Sequence, residues 1–352
     1  MSTDYSFIVN DLLDWYDKNS RILPWRQQNN PYYTWVSEIM LQQTRVEAVK
    51  GYFTRFIEAL PTVKDLAEVD SDLLMKLWEG LGYYNRARNL KKAAIQIQEL
   101  HGGVVPKDFN ELLSLPGIGT YTAGAIASMA YQVPVPAVDG NVLRILNRLT
   151  GSYDDIMQAK VKKQMEHDLL PIMPEKRSGD FNQALMDLGA TICKPNGSPL
   201  CTECPLNHSC VAFKQGLTDE LPVKSSKKPR KIEEKTVFLF SCNGEYALHQ
   251  RDSKGLLANL WEFPNLDSSL PINKLEVLLE EHGIQDYTLE LLSPAKHIFS
   301  HVEWHMIGYR VNVPSKNVEL FEDLTWVTPA QIEKNYAIPN ALKAYREHLF
   351  RE

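Results

Sequence analysis

From the N-terminus to about residue 215 the chain repeats apolar residues three or four apart, the spacing of helices that bury one face. Val46, Val49, Phe53, Phe56, Ile57 and Leu60 share one such face, and Leu90, Ala94, Ile97 and Leu100 form a second stripe that ends at Gly102-Gly103. Thr62 and Ser71 stand before short helical runs and are expected to cap them. Further helices are predicted over about 109–114, 121–130, 141–149, 157–169 and 180–192. The period then breaks. Leu221 to Lys235 carries Pro222, Pro229, Ser225, Ser226 and the basic residues Lys224, Lys227, Lys228, Arg230 and Lys231, a composition that reads as a solvated linker. Beyond it, Thr236-Val237-Phe238-Leu239-Phe240 and Tyr246-Ala247-Leu248-His249 flank Asn243-Gly244, whose positive φ angles suit a tight hairpin turn. Strand-like runs at 287–292, 297–313 and 324–327, with helical patterns at 271–283 and 329–349, complete an α+β unit. The pattern therefore divides the chain into a mostly α unit (1–220), a basic linker (221–235) and an α+β unit (236–352).

A length of 352 residues suits two domains. The formal net charge of −6 argues against attachment to nucleic acid by bulk charge, so any such contact must rest on local donors. The start Met-Ser-Thr-Asp-Tyr lacks a basic region before an apolar run, and no apolar stretch approaches the ~20 residues that span a bilayer. A cytoplasmic protein without a membrane partner is expected. Four of the five cysteines, Cys193, Cys201, Cys204 and Cys210, lie within one short segment spaced C-x7-C-x2-C-x5-C. Such clustering reads as metal ligation; four thiolates suit either Zn²⁺ or a [4Fe–4S] cluster, and spacing alone does not choose. Cys242 falls in a predicted strand and is expected to pack there.

Two motifs carry the chemistry. Leu115-Pro116-Gly117-Ile118-Gly119-Thr120-Tyr121 places two glycines, one residue apart, after a proline and before a helix, so that backbone N–H groups can approach a DNA phosphate. Val138-Asp139-Gly140-Asn141 then puts a carboxylate at the start of the next helix. Asp139 is a good N-cap in any case, and a helix end is expected to keep it ionised beside a developing positive charge.

This pair resembles the hairpin and aspartate of the helix-hairpin-helix DNA glycosylase superfamily. Leu23-Pro24-Trp25-Arg26, Ser37-Glu38-Ile39-Met40-Leu41-Gln42-Gln43-Thr44, Gly80-Leu81-Gly82-Tyr83-Tyr84, Phe181-Asn182-Gln183 and the cysteines narrow the likeness to its adenine-excising branch, the MutY adenine DNA glycosylases. The likeness covers nearly the whole chain. It implies a mostly α helix-hairpin-helix glycosylase domain (hairpin 112–125, cluster loop 193–210) followed by a Nudix-like domain. By resemblance Glu38 is the general acid, and Asp139 stabilises a sugar cation or attacks it. Asn141 orients the aspartate or the water. Trp25, Arg26 and Gln183 form the adenine pocket, Gln43 and Tyr83 enter the DNA stack, and Gly117 and Gly119 hold phosphate. Cys193, Cys201, Cys204 and Cys210 ligate a [4Fe–4S] cluster, although this chain has seven residues, not the family's six, between the first two. Phe299-Ser300-His301 matches the loop that recognises 8-oxoguanine. In the aromatic and apolar company of Tyr32, Tyr33, Trp35, Ile39, Met40 and Leu41, burial of Glu38 is expected to raise its pKa.

The implied activity is that of a monofunctional, monomeric adenine glycosylase of base excision repair, acting on double-stranded DNA with adenine opposite 8-oxoguanine or guanine. An endonuclease III-like glycosylase with lyase activity is the nearest rival, but such enzymes carry a Schiff-base lysine where this chain has Tyr121. A Nudix pyrophosphatase is disfavoured because Glu276-Val277-Leu278-Leu279-Glu280-Glu281-His282-Gly283-Ile284 puts valine at the first glutamate of the Nudix box. A lesion-binding protein without catalysis would not need both Glu38 and Asp139.

Overall fold

The computed structural model describes residues 3–226 and 229–350. By internal contacts it divides into two units, 1–69 with 85–226 and 70–84 with 227–352. Lys227 and Lys228 of the expected linker lie outside the described residues.

The first unit is helical: α1 (Ile8–Asn19), α2 (Pro31–Leu41), α3 (Val46–Ala59) and α4 (Val63–Glu68) precede the 70–84 segment, which holds α5 (Ser71–Leu77). It resumes with α6 (Asn85–His101), α7 (Phe109–Leu113), α8 (Thr120–Tyr131), α9 (Gly140–Thr150), α10 (Ala159–Leu169), α11 (Ser178–Thr191) and α12 (Val211–Gln215). Thr62 caps α4 in a full capping box with Asp65. The cap of α5 is Asp70 rather than Ser71, because the longer acidic side chain accepts from both Asp72 N and Leu73 N. Leu100, the last member of its stripe, is exposed.

A core of Ile8, Leu12, Leu146, Phe181, Leu185 and Leu188 joins α1, α9 and α11, and the cysteine loop packs against it. One buried polar side chain and one close backbone contact locate the functional segments. Asn182 on α11 accepts from Ala137 N at 3.0 Å and donates to Val135 O and Ser128 Oγ, which pins the extended run before Asp139. Gly124 on α8 meets the same run, since a Cβ there would lie 2.2 Å from the Pro136 carbonyl oxygen. The end of the first unit is tied down as well: Val223 O accepts from Ile156 N, and Leu221 O from Arg148 Nε.

Among the described residues of the second unit seven strands form one mixed sheet, with β1 (Lys231–Cys242) and β6 (Val302–Asn312) pairing in parallel at its centre. β2 (Glu245–Gln250) turns back from β1 through Asn243-Gly244 as expected, and β3 (Trp261–Glu262), β4 (Asn265–Leu266) and β7 (Thr325–Val327) are short. β5 (Thr288–Ile298) forms a hairpin with β6, so the 297–313 run is broken at 299–301. β1 begins at Lys231, inside the expected linker, because its N-terminal half pairs with β6 from Val302 onward.

From Lys235 to Cys242 β1 is buried on both faces, which explains its apolar run. Val237 and Leu239 face a core with Trp304, Met306, Ile332 and Tyr345, whereas Phe238, Phe240 and Cys242 face Leu275 and Leu279 of α13 (Ile272–Glu281). Cys242 is therefore a packing residue. The expected 329–349 helix is interrupted: α14 (Pro329–Asn335) ends before Pro339, and short 3₁₀ turns flank α15 (Lys343–Arg346). Proline lacks the N–H that a continuing helix needs.

Gly124→Ala forces a methyl into a backbone carbonyl. The variant is expected to lose roughly 1–3 kcal/mol of stability; urea unfolding that matches the wild type would show that the contact is not tight.

Candidate active site

Asn30 caps α2, accepting from Tyr32 N and Tyr33 N, with Pro31 preset in the first turn. From Thr34 to Met40 every residue of this helix is buried, so Glu38 enters the site from a helix without a wet face. Its carboxyl accepts a 2.5 Å hydrogen bond from the hydroxyl of Tyr121, in the first turn of α8 after the glycine hairpin. Burial pushes the Glu38 carboxyl up to about 7, against the opposing pull of the Tyr121 bond and Arg26 and with a further push from Asp139. The same surroundings hold the Tyr121 hydroxyl well above its ordinary range, so it stays a proton donor.

Asp139 caps α9. Its Oδ1 accepts from Asn141 N and Val142 N at 2.8 and 2.9 Å, and its Oδ2 from Asn141 Nδ2 at 2.7 Å. Burial nevertheless raises its carboxyl, and the three N–H donors and Arg144 moderate that cost without reversing it. The helix end thus supports the charged form, the effect expected from the sequence, but burial outweighs it and leaves the carboxyl above its ordinary value. Asn141 Oδ1 in turn accepts from Arg144 at 2.8 Å, and Arg144 also donates to Gly189 O and Cys193 O at 2.7 Å each. Arg144 ties the Asn141–Asp139 pair to the start of the cysteine loop.

Glu38, Tyr121, Asp139, Asn141, Trp25 and Gln43 line one open cleft of about 700 Å³. Trp25 is buried, with its ring edge-on to Phe53 at 5.4 Å. Arg26 lies beside it, but its guanidinium is committed: Nη1 and Nη2 donate to Asp187 at 2.8 and 3.0 Å. Arg21 adds Nε and backbone bonds to the same carboxylate, whose side chain is fully buried. Burial pushes Asp187 up, but the two guanidiniums outweigh it and hold the group below the usual range. Gln183 does not reach the cleft; Met186 and Ala190 form the wall that α11 contributes. Sequence reasoning missed Asp187 and gave Asn182 no role beyond its motif, yet they act across the fold from Arg21, Arg26 and Ala137.

The hairpin turn runs through Gly117, at φ +78°, a conformation glycine adopts freely. A Cβ there would also lie 2.8 Å from that of Asn89. Gly119 precedes α8 with open space around it and lines the cleft. Gln43 follows α2 in a left-handed turn (φ +59°) held by Arg86, which donates to the carbonyls of Ile39, Met40 and Gln42. Tyr83, in the second unit, is half-exposed at φ +47°.

The four cysteines line one small cavity with Arg148, which donates to Cys193 Sγ at 3.4 Å. Burial pushes Cys204 up to about 12 and raises Cys201 and Cys210, so thiolates here need a cation beside them. As the side chains stand, no group of three or more His, Cys, Asp or Glu among the described residues is arranged to hold a metal ion. Four soft sulfurs around one cavity with an arginine donor fit a cluster's chemistry.

In the second unit Phe299-Ser300-His301 forms the β5–β6 turn, closed by Phe299 N to Val302 O at 2.9 Å. Phe299 packs edge-on against His297 and Trp304, and Ser300 and His301 are exposed. Glu276, Val277, Glu280 and Glu281 are all exposed on or beside the outer face of α13.

Residues 36–171 match the HhH-GPD superfamily of base excision DNA repair proteins, and residues 236–348 match the NUDIX domain. The adenine DNA glycosylase of Buchnera aphidicola from Schizaphis graminum is 36% identical over 310 residues, covering 86% of each chain. That of Schizosaccharomyces pombe is 31% identical and covers 96% of this chain and 88% of the relative. The chain belongs to the adenine DNA glycosylase family. A solved endonuclease III–DNA complex shares its helical fold, with 27% identity and a TM-score of 0.52 over 60% of this chain and 95% of the other. The family is one of enzymes that act on N-glycosyl bonds of DNA, and DNA is its partner. Among the described residues no helix is long and apolar enough to cross a membrane.

The raised Glu38 carboxyl has a consequence for stability. The folded state holds this proton more tightly than the unfolded chain, so the contribution of Glu38 is fullest below about 4.5 and is lost as pH rises toward about 7. Relative to the wild type, Glu38→Gln should therefore gain about 3 kcal/mol between pH 4.5 and pH 8. Unfolding curves at the two pH values whose difference does not change would refute the burial argument.

Proposed function

We propose that this chain is a monofunctional adenine DNA glycosylase of base excision repair that hydrolyses the N-glycosidic bond of adenine opposite 8-oxoguanine or guanine. The observation that carries it is the Glu38 carboxyl, buried, raised to about 7 and hydrogen-bonded by Tyr121 in the cleft that also holds Asp139. An adenine reaches such a cleft only when flipped from the duplex. Glu38 then gives its proton to adenine N7, the C1′–N9 bond breaks, and its electron pair leaves with neutral adenine. The sugar becomes an oxocarbenium-like cation. Asp139, held by three N–H donors, stabilises that cation through space or bonds to C1′. Water completes the product, an abasic site, with Asn141 orienting the aspartate or the water. The ionised Glu38 is placed to take the water's proton.

Tyr121 is central to where the reaction ends. A phenol bound to Glu38 cannot form the Schiff base that a lysine forms, so the lyase reading is not favoured. Trp25 offers a face or edge to the base. Arg26, paired with Asp187 in the cleft wall, acts through its field at Glu38, and its remaining N–H groups can meet the base edge. Gln43 and Tyr83 enter the stack vacated by the flipped nucleotide, and Gly117 and Gly119 meet a phosphate. Phe299, Ser300 and His301 read 8-oxoguanine, whose N7 carries a hydrogen where guanine has an acceptor. Their exposed turn supports this role. Cys193, Cys201, Cys204 and Cys210 would hold a [4Fe–4S] cluster that staples the loop, since hydrolysis needs no electron transfer. Thiol ligands suit a reducing, cytoplasmic setting, and the enzyme acts as a monomer.

Duplex DNA with adenine opposite 8-oxoguanine tests the reading. Free adenine and strand breaks that depend on alkali are expected, with no efficient adduct trapped by borohydride. Glu38→Gln should bind the same duplex but release adenine at least 100-fold more slowly. Breakage without alkali, or a Glu38→Gln enzyme at full rate, would overturn it.

A further inference from the structure

The segment 70–84 lies in sequence between helices of the first unit, yet its contacts place it with the C-terminal unit. Glu79 is the reason. Its carboxylate accepts from Ile338 N at 3.0 Å and from Arg346 Nη1 at 2.8 Å, and Lys76 Nζ lies 2.7 Å from its other oxygen. Lys76 also donates to Ile332 O and Tyr336 O, and Arg346 to Glu333 at 2.6 Å. Two cations and two anions thus balance in a network whose central pair, Arg346 and Glu79, is 20% and 13% exposed. Such charge-assisted bonds are stronger and more directional than surface pairs.

The network ends on the turn that carries Tyr83. Gly80 (φ +97°), Gly82 (φ +70°) and Tyr83 (φ +47°) are all left-handed. For tyrosine that conformation costs on the order of 1 kcal/mol and persists only where neighbours over-determine it. The neighbours are visible: Asn340 Nδ2 donates to Gly80 O, and Trp78 Nε1 to Gly82 O, each at 3.1 Å. We propose that Arg346 and Asn340 are positioning residues for DNA engagement, holding Glu79 and Gly80 so that the turn presents Tyr83 already shaped for insertion. Through them the C-terminal unit sets the geometry of a residue that works on the DNA stack. This rests on the reading of Tyr83 as an intercalating residue.

The test uses the full-length enzyme and uncleavable duplex carrying 2-aminopurine beside the lesion, whose fluorescence rises when a neighbour is unstacked, together with single-turnover adenine release. Tyr83→Ala should abolish the fluorescence rise. Arg346→Met and Asn340→Ala should each reduce it and slow release about tenfold, and in the Tyr83→Ala background each should change release less than twofold. Asn340 is exposed, so its variant separates positioning from misfolding. If Tyr83→Ala leaves fluorescence and rate unchanged, the intercalation reading fails and the proposal falls with it. If Tyr83→Ala acts as expected but Arg346→Met and Asn340→Ala leave fluorescence intact, or slow release equally in both backgrounds, positioning alone is refuted.

Discussion

Removing a carboxyl from water costs its charged form far more than its neutral form, and this cost raises Glu38 to about 7. One helix buried along its length delivers the group, and one phenol touches it. Asp139 lies in the same cleft under similar burial but receives three N–H donors, all of which stabilise its charge. The two carboxyls are thus separated in function by their donor counts. A single O–H bond leaves Glu38 a carboxyl that still holds its proton in part at neutral pH, while the cap bonds favour the charged form of Asp139. The Asp139 charge also discourages ionisation of Glu38.

Around this pair the fold spends its buried polar groups on alignment. Arg21 and Arg26 share Asp187, so the cation near Glu38 is balanced and cannot drift toward it. Asn182 fixes the run that delivers Asp139, and Arg144 fixes Asn141 from the opposite side while holding the Cys193 carbonyl. A cysteine loop organised by a cluster would therefore bear on the aspartate through two side chains without supplying any chemistry.

Local pattern made much of this legible. The glycine hairpin, the Asp139 cap and the Asn243-Gly244 turn with the strand run before it are each written in a few adjacent residues. The family likeness then located Glu38 and Tyr121 in a common site. What escaped depends on residues distant in sequence. Asp187 is invisible beside Arg21 until α11 folds back, and its pairing with Arg26 at the cleft wall gives no local signal either. Asn182 was noticed only as part of a motif, yet it is the residue that anchors Ala137. Ser71 lost its cap to Asp70 by one residue, and Pro339 breaks a helix that hydrophobic spacing had joined. The allegiance of residues 70–84 was also hidden, because Glu79 and Arg346 give no periodic signal.

The dependence of Glu38 on Tyr121 admits a direct measurement: the pH profile of single-turnover adenine release by the wild type and Tyr121→Phe. Release should fall in the wild type as pH rises through about 7, as the buried acid loses its proton. The Tyr121 bond favours the charged form, so removing the hydroxyl should move that alkaline limb to higher pH. An alkaline limb that stays in place, or moves to lower pH, would contradict a buried Glu38 acid restrained by Tyr121.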